Sequence, residues 1–363
     1  MNFLLSEDQL AFLDAINSLL RDRCDPVRVH AIFDAEGDAC FDTELWSALV
    51  ELGIPAIAVP EAHGGLGLGM MDLAIVAEVL GSYAAPVPFF GHVLASLAIT
   101  LGGSDAQKAE WLPRLASGEV LATVAFNEGS AKWLPAQWQM TCEGGAISGT
   151  KTLVPNAAEA GLIVVGVQGA LALVEAGAGF ETTRQDSADR TRPVDTVTFT
   201  GAGAQLLVNG GDALDRLVDA AAVLLSADAF GGAEHCVNMS VEYAKLREQY
   251  GQAIAHFQGL RYQLVKMALA AEPARGLYWY AAHAWDAIPD KASHAAAQAK
   301  AHLCDTYLQV TRDAVEAHGG IGFTWEHDAH LYFKRARAIS SMLGSSDWHR
   351  ENIARLIGLG DAA

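Results

Sequence analysis

From the N-terminus to about Ser117, apolar residues recur every three to four positions, and "TELWSALVELG", "MMDLAIVAEVLGSYAA" and "DAQKAEWLPRLASG" predict helices. In the opening "MNFLLSEDQLAFLDAINSLL", Ser6 and Gln9 have the spacing of a capping box ahead of Leu10, Leu13, Ile16, Leu19 and Leu20. Gly53, Gly81 and Gly118 stand where helix C-terminal caps are expected. Between Glu119 and Asp212 the period changes. "VLATVAFNE", "GAISGTKTLVP", "GLIVVGV", "ALALVEA" and "DTVTFTG" are short, rich in β-branched residues and separated by Gly, Asn or Asp, which predicts strands. With no helix between them to carry a parallel crossover, they read as an antiparallel region of barrel or sandwich type. After Asp212 the helical period returns and continues to the end. The chain therefore divides into a helical domain (1–118), a strand domain (119–212) and a helical bundle (213–363), an α+β multidomain order.

Composition narrows the possible partners. Hydrophobic residues make up 51% and charged ones 18% of 363 residues, enough to bury large cores. A formal net charge of −19 argues against nucleic acid or an anionic membrane as partner. The five cysteines show no CxxC or ligand spacing, and the twelve histidines no HExxH pairing, so intracellular, reduced thiols and no metal are expected. The N-terminus lacks the basic region and cleavage site of a signal peptide, and the most apolar run, "GLIVVGVQGALALVEA", is too short and too interrupted to span a membrane. A soluble, cytoplasmic protein is expected.

Three stretches invite a chemical reading. "VPEAHGGLGLGM" has glycines at 65, 67 and 69 but Met70 where GxGxxG needs glycine, so a packing turn is favoured over a phosphate cradle. "HGGIGFTWE" has more glycines than a helix cap needs, and either a cap or a close approach of backbone to a ligand or another chain would account for it. In "LREQYGQAIAHFQGLRYQLVKMA", Gly251 interrupts a helical pattern at a cost of about 1 kcal/mol in a helix interior. Arg247 and Gln258 there fit either a solvated face or phosphate recognition by a planar guanidinium.

Together these stretches resemble the acyl-CoA dehydrogenase family over nearly the whole chain. "LREQYGQAIAHFQ" is similar to the family's R-x-x-F-G-x-x-I-x-x-F/H-Q signature, "EAHGGIGFTWEH" to Q-x-x-G-G-x-G-[FY]-x-x-E, "GTKTLVPNAAEAGLIVVG" to the middle-domain G-x-K-x-x-I-T-N segment, and "LGIPAIAVPEAHGGLGLG" to the N-terminal turn. The resemblance implies a central antiparallel β-barrel between two helical domains, and FAD as cofactor. It also implies α,β-dehydrogenation of an acyl-CoA thioester, with electrons passed to an electron-transfer flavoprotein. Arg247, Tyr250, Phe257, Gln258, Glu316, Gly319 and Gly320 would contact FAD bound by a neighbouring subunit, and Phe126, Asn127, Ser130, Leu153 and Val154 would face the flavin.

The departures matter as much. The position of the family's C-terminal base, the Glu of "YEGT", is Leu343, and the next carboxylate, Asp347, lies four residues further on. Some members carry the base as Glu-Arg on the first helix after the strands; here that site reads Asp215-Arg216, which makes Asp215 the candidate base and Arg216 a substrate contact. The family's "EPGxGSD" is shortened to "EGSAKW", and its flavin-contacting Trp and Thr become Leu153 and Pro155, the latter with neither N–H nor hydroxyl to donate. Three expectations follow: a catalytic dehydrogenase using Asp215; a non-catalytic subunit completing the FAD sites of a paralogue in a heterotetramer; and, less favoured, a flavin oxidase or monooxygenase on the same fold. A homo-oligomer serves the first and a heteromer the second.

Overall fold

A computed structural model describes residues 5–35, 41–129, 132–177 and 179–359. The first helices are α1 (Glu7–Arg23), α2 (Pro26–Phe33), α3 (Thr43–Glu51), α4 (Met70–Ser82), α5 (Phe89–Gly102) and α6 (Asp105–Ala116). The strands are β1 (Ala122–Ala125), β2 (Cys142–Glu143), β3 (Ala146–Pro155), β4 (Leu162–Val167), β5 (Ala170–Glu175), β6 (Phe180–Arg184), β7 (Val194–Gly203) and β8 (Gln205–Leu206). The long α7 (Gly210–Leu246) is followed by a hairpin of β9 (Glu248–Gln249) and β10 (Gln252–Ala253), then by α8 (Gln258–Ala271), α9 (Arg275–Ala287), α10 (Pro289–His318), α11 (Ala329–Ser341) and α12 (Ser346–Leu356). None of the described helices is long and apolar enough to cross a membrane.

The chain folds as two compact units that cut across the sequence order. One comprises Met1–Val29, Ala74–Ala85 and Ala222–Ala363; the other comprises His30–Leu73 and Pro86–Ala221. In the second unit the strands form two four-stranded sheets, ordered β1-β4-β5-β8 and β2-β3-β7-β6. Their inner faces share one core, with Ala125, Val165 and Ala172 from the first sheet and Ile147, Val197 and Phe199 from the second. Two corrections follow. The strands form two open sheets among the described residues rather than one closed barrel, and β1 runs parallel to β4, Ala122 opposite Leu162. The crossover that a parallel pair requires is supplied here by β2 and β3, which lie in the other sheet, in place of a helix. All six residues of β4 are buried, as expected of a strand covered on both faces.

His92 ties the helical part of this unit to its strands. Its Nε2 donates to the Leu115 carbonyl at 3.2 Å while Nδ1 accepts the Ala122 N–H at 3.2 Å, a pairing that only the neutral ring can make. Burial pushes its pKa down to about 4, which keeps it neutral. The "HGGLG" turn is a packing turn, as expected: a Cβ on Gly65 would lie 1.9 Å from the Val59 carbonyl oxygen.

In the first unit, Ser6 and Gln9 form the predicted capping box, Ser6 Oγ accepting the Gln9 N–H at 3.1 Å and Gln9 Oε1 the Ser6 N–H at 3.0 Å. Gly81, expected as a cap, lies instead inside α4, where it lets that helix touch α7. A Cβ on Gly81 would come within 2.3 Å of the Asp228 carbonyl oxygen, and one on Gly231 within 1.9 Å of the Glu78 carbonyl oxygen. Beside this crossing Asp228 takes a two-pronged bond from Arg335 of α11, Nε to Oδ1 at 3.1 Å and Nη2 to Oδ2 at 2.7 Å, both side chains 1% exposed. Arg335 Nη1 also donates to the Ala85 carbonyl at 3.4 Å.

Removing one partner leaves the other charge buried without compensation, so Asp228→Ala should lower unfolding stability by about 3–5 kcal/mol. Chemical denaturation checks this; a loss below about 1 kcal/mol would show that the pair does not hold α11 to α7.

Candidate functional site

The end of α7 builds the first cluster. The helix stops at Leu246, and residues 248–253 form a hairpin in which Gln249 pairs with Gln252 and Glu248 with Ala253. Tyr250 (φ 53°) and Gly251 (φ 76°) make its two-residue loop, the twist that such a turn requires. The interrupted helical pattern is thus a helix end followed by a tight reversal. Glycine accepts this conformation freely, whereas for a tyrosine it costs on the order of 1–2 kcal/mol. Tyr250 is also 95% exposed, so no burial within this chain offsets the strain. The Ile254 N–H closes the hairpin on the Arg247 carbonyl at 2.8 Å. Phe257 meets Tyr250 edge to face at 6.0 Å. Gln258, the first residue of α8, donates its side-chain amide to the Tyr262 hydroxyl at 2.6 Å. Arg247 and Gln258 are exposed.

The glycine turn at the end of α10 belongs to the same cluster. Gly319 ends the helix at φ 64°, ψ −140°, a conformation open in practice only to glycine. A Cβ on Gly322 would lie 2.5 Å from the Val315 carbonyl oxygen, so the turn folds back tightly on its own helix. At Gly319 and Gly320 a Cβ would meet nothing, so the backbone there faces open space. Glu316 is exposed, accepts from Gln263 Nε2 at 3.4 Å, and puts a carboxylate where the family motif has Gln. Tyr243, one helical turn before Arg247, lies 4.5 Å from the ring of His318, the residue before Gly319. The structure therefore brings together Arg247 and the glycine turn, which are about 70 residues apart in sequence. Exposed guanidinium, accessible backbone and aromatic rings form a surface suited to the diphosphate and flat rings of a dinucleotide.

The strand-rich unit holds the second cluster. Between Lys151 and Val154 the β3–β7 register shifts, a bulge that turns Leu153 outward at φ 54° and 54% exposure while Val154 is 1% exposed. Val154, expected to face the flavin, has its side chain in the core of the sheets, leaving only its backbone for that role. Asn127 bridges to Thr152, its side-chain amide donating to the Thr152 hydroxyl at 2.6 Å, and the Phe126 ring packs 5.4 Å from Trp138. Ser130 lies outside the described residues. The Pro155 carbonyl accepts from the Thr123 hydroxyl at 2.5 Å.

Under this cluster sits an ion pair that sequence reasoning missed. Lys151 Nζ is buried, 2.8 Å from Glu128 Oε1 and 5.0 Å from the centre of the Trp138 ring. Glu128 also accepts the Gln139 and Met140 amides at 2.7 and 3.1 Å, so one carboxylate ties its own segment to residues 139–140 as well as to β3. Burial disfavours its charge, but Lys151 and the two amides outweigh that and hold the carboxyl below its usual range. Burial pushes the Lys151 pKa down to about 8, against the pull of Glu128. A lysine inside "GTKTLVP", on the inward phase of a strand, was the available signal.

Asp215 and Arg216 are exposed on the second turn of α7, whose opposite side buries Ala213, Leu217 and Ala220. Leu343, at φ 51°, holds the expected position of a C-terminal base with an apolar side chain, and its carbonyl accepts from His349 Nε2 at 3.0 Å.

Known proteins agree with this geometry. The chain matches the model of the acyl-CoA dehydrogenase N-terminal domain over residues 6–119 and that of the C-terminal domain over residues 210–358. It belongs to the acyl-CoA dehydrogenase family, oxidoreductases that act on CH–CH bonds. It is 29% identical to the acyl-CoA dehydrogenase IpdE2 of Mycolicibacterium smegmatis over 356 residues, covering 97% of this chain and 98% of that one. Among solved structures it is similar to a variant of the Tcur3481–Tcur3483 steroid ACAD (29% identity, TM-score 0.88, 98% and 99% of the two chains). It is also similar to the ChsE4–ChsE5 complex of Mycobacterium tuberculosis (26% identity, TM-score 0.90, 100% of both chains).

Lys151 gives a signed pH test. Its folded pKa, about 8, lies below the unfolded value of 10.5, so the unfolded chain binds more protons between them and stability should rise with pH across that window. The contribution is complete above 10.5 and lost as pH falls through 8. Lys151→Met should remove this slope; equal slopes in parent and variant, measured by denaturation between pH 8 and 10.5, would contradict the assignment.

Proposed function

We propose that this chain is a subunit of a FAD-dependent acyl-CoA dehydrogenase that works in an assembly with a paralogous subunit. It introduces an α,β double bond into an acyl-CoA thioester, and an electron-transfer flavoprotein takes up the electrons. The observation that carries this reading is the exposed, strained Tyr250 and exposed Arg247 of the hairpin after α7 beside the open glycine turn after α10, which support half of a dinucleotide site that a neighbouring subunit would complete. The likeness to a two-component complex supports unlike subunits, and the likeness to a steroid ACAD supports a bulky substrate such as a steroid side-chain thioester.

FAD, the family's cofactor, supplies the acceptor for the hydride that leaves the β carbon. Arg247 and the turn amides at Gly319 and Gly320 neutralise and hold its diphosphate, against the field of a chain with net charge −19. Tyr250 and Phe257 offer ring faces, and Gln258 offers an amide. In the strand unit, Leu153 presents an apolar surface where relatives donate hydrogen bonds, and Asn127 and Phe126 flank it. The α proton needs a carboxylate within roughly 3 Å. Asp215, beside Arg216, is the base this chain can offer. It is one methylene shorter than the Glu of relatives, and a misplacement of about 1 Å can cost on the order of 100-fold in rate.

Arg247→Ala should weaken FAD binding by about 1.5–3 kcal/mol, the worth of a charge-assisted contact, measured by flavin titration of the assembled protein. Equal affinity would remove Arg247 from the site. Anaerobic bleaching of the flavin by a panel of acyl-CoA thioesters, with and without a co-expressed paralogue, tests the base. If Asp215 acts, Asp215→Asn lowers the bleaching rate by orders of magnitude. An unchanged rate assigns the base to the other subunit and leaves this chain the role of completing its FAD site.

A further inference from the structure

Three aromatic rings lie beside the Arg247 end of α7 and the glycine turn and take no part in the function described so far. His318, the last residue of α10, is 3% exposed. Its ring centre is 4.5 Å from that of Tyr243 on α7 and 4.2 Å from that of His327, which precedes α11; Tyr243 and His327 meet edge to face at 6.4 Å. His318 Nδ1 donates to the Ala314 carbonyl at 2.7 Å, which fixes the neutral tautomer and leaves Nε2 as a buried acceptor with no hydrogen-bond partner. His327 Nδ1 accepts the Ala329 N–H at 3.2 Å. Each ring is adjacent to a segment of the site. Tyr243 is one helical turn before Arg247, and its carbonyl takes the Arg247 N–H at 2.8 Å. His318 immediately precedes Gly319, and its Cβ lies 3.0 Å from where a Cβ of Gly322 would be.

We infer that the Tyr243–His318–His327 stack is a positioning clamp that holds the Gly319–Phe323 turn in register with the Arg247 end of α7, and that it opens when His318 is protonated. This rests on the flavin site proposed above. The glycine turn makes few contacts of its own on its outer side, since Gly319 and Gly320 face open space, so its placement depends on what anchors its first residue. That anchor is the packing of a neutral imidazole against a phenol and a second imidazole, the ring planes tilted by 38° and 50°. A proton on His318 Nε2 would sit buried, with no acceptor and with His327 as its neighbour. The charged and titratable groups around it are Tyr243 from α7 and His327 and Asp328 from the segment before α11; Asp328 alone favours the charged form. Burial, outweighing the Ala314 carbonyl and Asp328, lowers the His318 pKa from 6.5. The sign follows: the clamp is fully closed above the unfolded value near 6.5 and is lost as pH falls through the lower folded one.

The test uses the assembled protein stripped of flavin, with two readouts. Hydrogen exchange of the amides in residues 319–323 needs no cofactor, and FAD titration reports the assembled site. His318→Ala should speed exchange in the turn and weaken FAD binding by at least about tenfold at pH 7.5, roughly 1.4 kcal/mol. Tyr243→Ala, which removes the opposite ring, should speed exchange in the same amides. His318→Phe keeps a ring without a titrating group, so FAD affinity, expected to fall in the parent as pH drops below 6.5, should stay level in the variant. Unchanged turn exchange in both alanine variants, or the same acid loss of FAD in His318→Phe as in the parent, would overturn the clamp. A parent assembly that takes up no FAD at any pH would sink the flavin reading, while the exchange measurement would still decide the clamp.

Discussion

In the helical unit two helix backbones come into direct contact. Gly81 of α4 and Gly231 of α7 remove the side chains that would hold these helices about 8–10 Å apart, and each places its Cα against a carbonyl of the other helix. No larger residue fits at either position without moving a helix. The neighbouring chemistry depends on that contact. It brings Ser82 to the Tyr332 hydroxyl, which donates to its carbonyl at 2.7 Å, and Ala85 to Arg335, so that α11 docks on both α4 and α7. It also places Glu78 in a buried position, where it accepts from the Tyr278 hydroxyl and lies 3.3 Å from Arg275; burial lifts its pKa to about 7 despite the guanidinium. A helix pair packed this tightly cannot adjust to a loose neighbour, and the downstream helices add specific polar anchors to their apolar contacts.

The functional surface follows the opposite design. The hairpin after α7 and the turn after α10 put strained backbone and an almost fully exposed tyrosine at the rim of a rigid bundle. Strain of this kind persists only where the surroundings over-determine it, here through the Ile254 to Arg247 closure and through Arg261, whose guanidinium donates to the Ala255 and His256 carbonyls. The local folding is complete within one chain. Tyr250, Arg247 and the Gly319–Gly320 backbone stay exposed on it, as the ligand-sharing surface proposed above requires.

Much of this was legible in the sequence, and the misses have definite causes. Helix periods, the Ser6–Gln9 cap and the glycine-marked ends read directly, because they depend on residues three or four apart. Gly81 read as a cap because sequence shows that a glycine is near a helix end but not which helix crosses it there. The parallel β1–β4 pair was hidden for the same reason: its crossover passes through another sheet, and strand order is a long-range property. Leu153 and Val154 were adjacent in one motif, yet a bulge sends one outward and the other into the core. Arg247, Tyr250 and the glycine turn were found by resemblance. Tyr243 and His318, which lie beside them, were not, since a buried histidine looks in sequence like any surface one; Lys151, under the strand cluster, was passed over although its strand phase pointed inward.

The C-terminal turn, where the resemblance expects a base and Leu343 stands instead, is held by its backbone. Leu343 and Gly344 both keep positive φ, at 51° and 96°, and their carbonyls are still held, Leu343 by His349 and Gly344 by buried Lys300 at 3.3 Å. Lys300 also donates to the Ile339 carbonyl at 3.0 Å and so closes the end of α11. A leucine gains nothing from this backbone conformation and pays for it in strain. The turn therefore does work other than aiming a side chain: it reverses the chain between α11 and α12, with a buried ammonium as the pin. A joint held by backbone carbonyls needs no carboxylate at its tip to stay folded, which is compatible with the base placed on α7 or in another subunit under the reading proposed above.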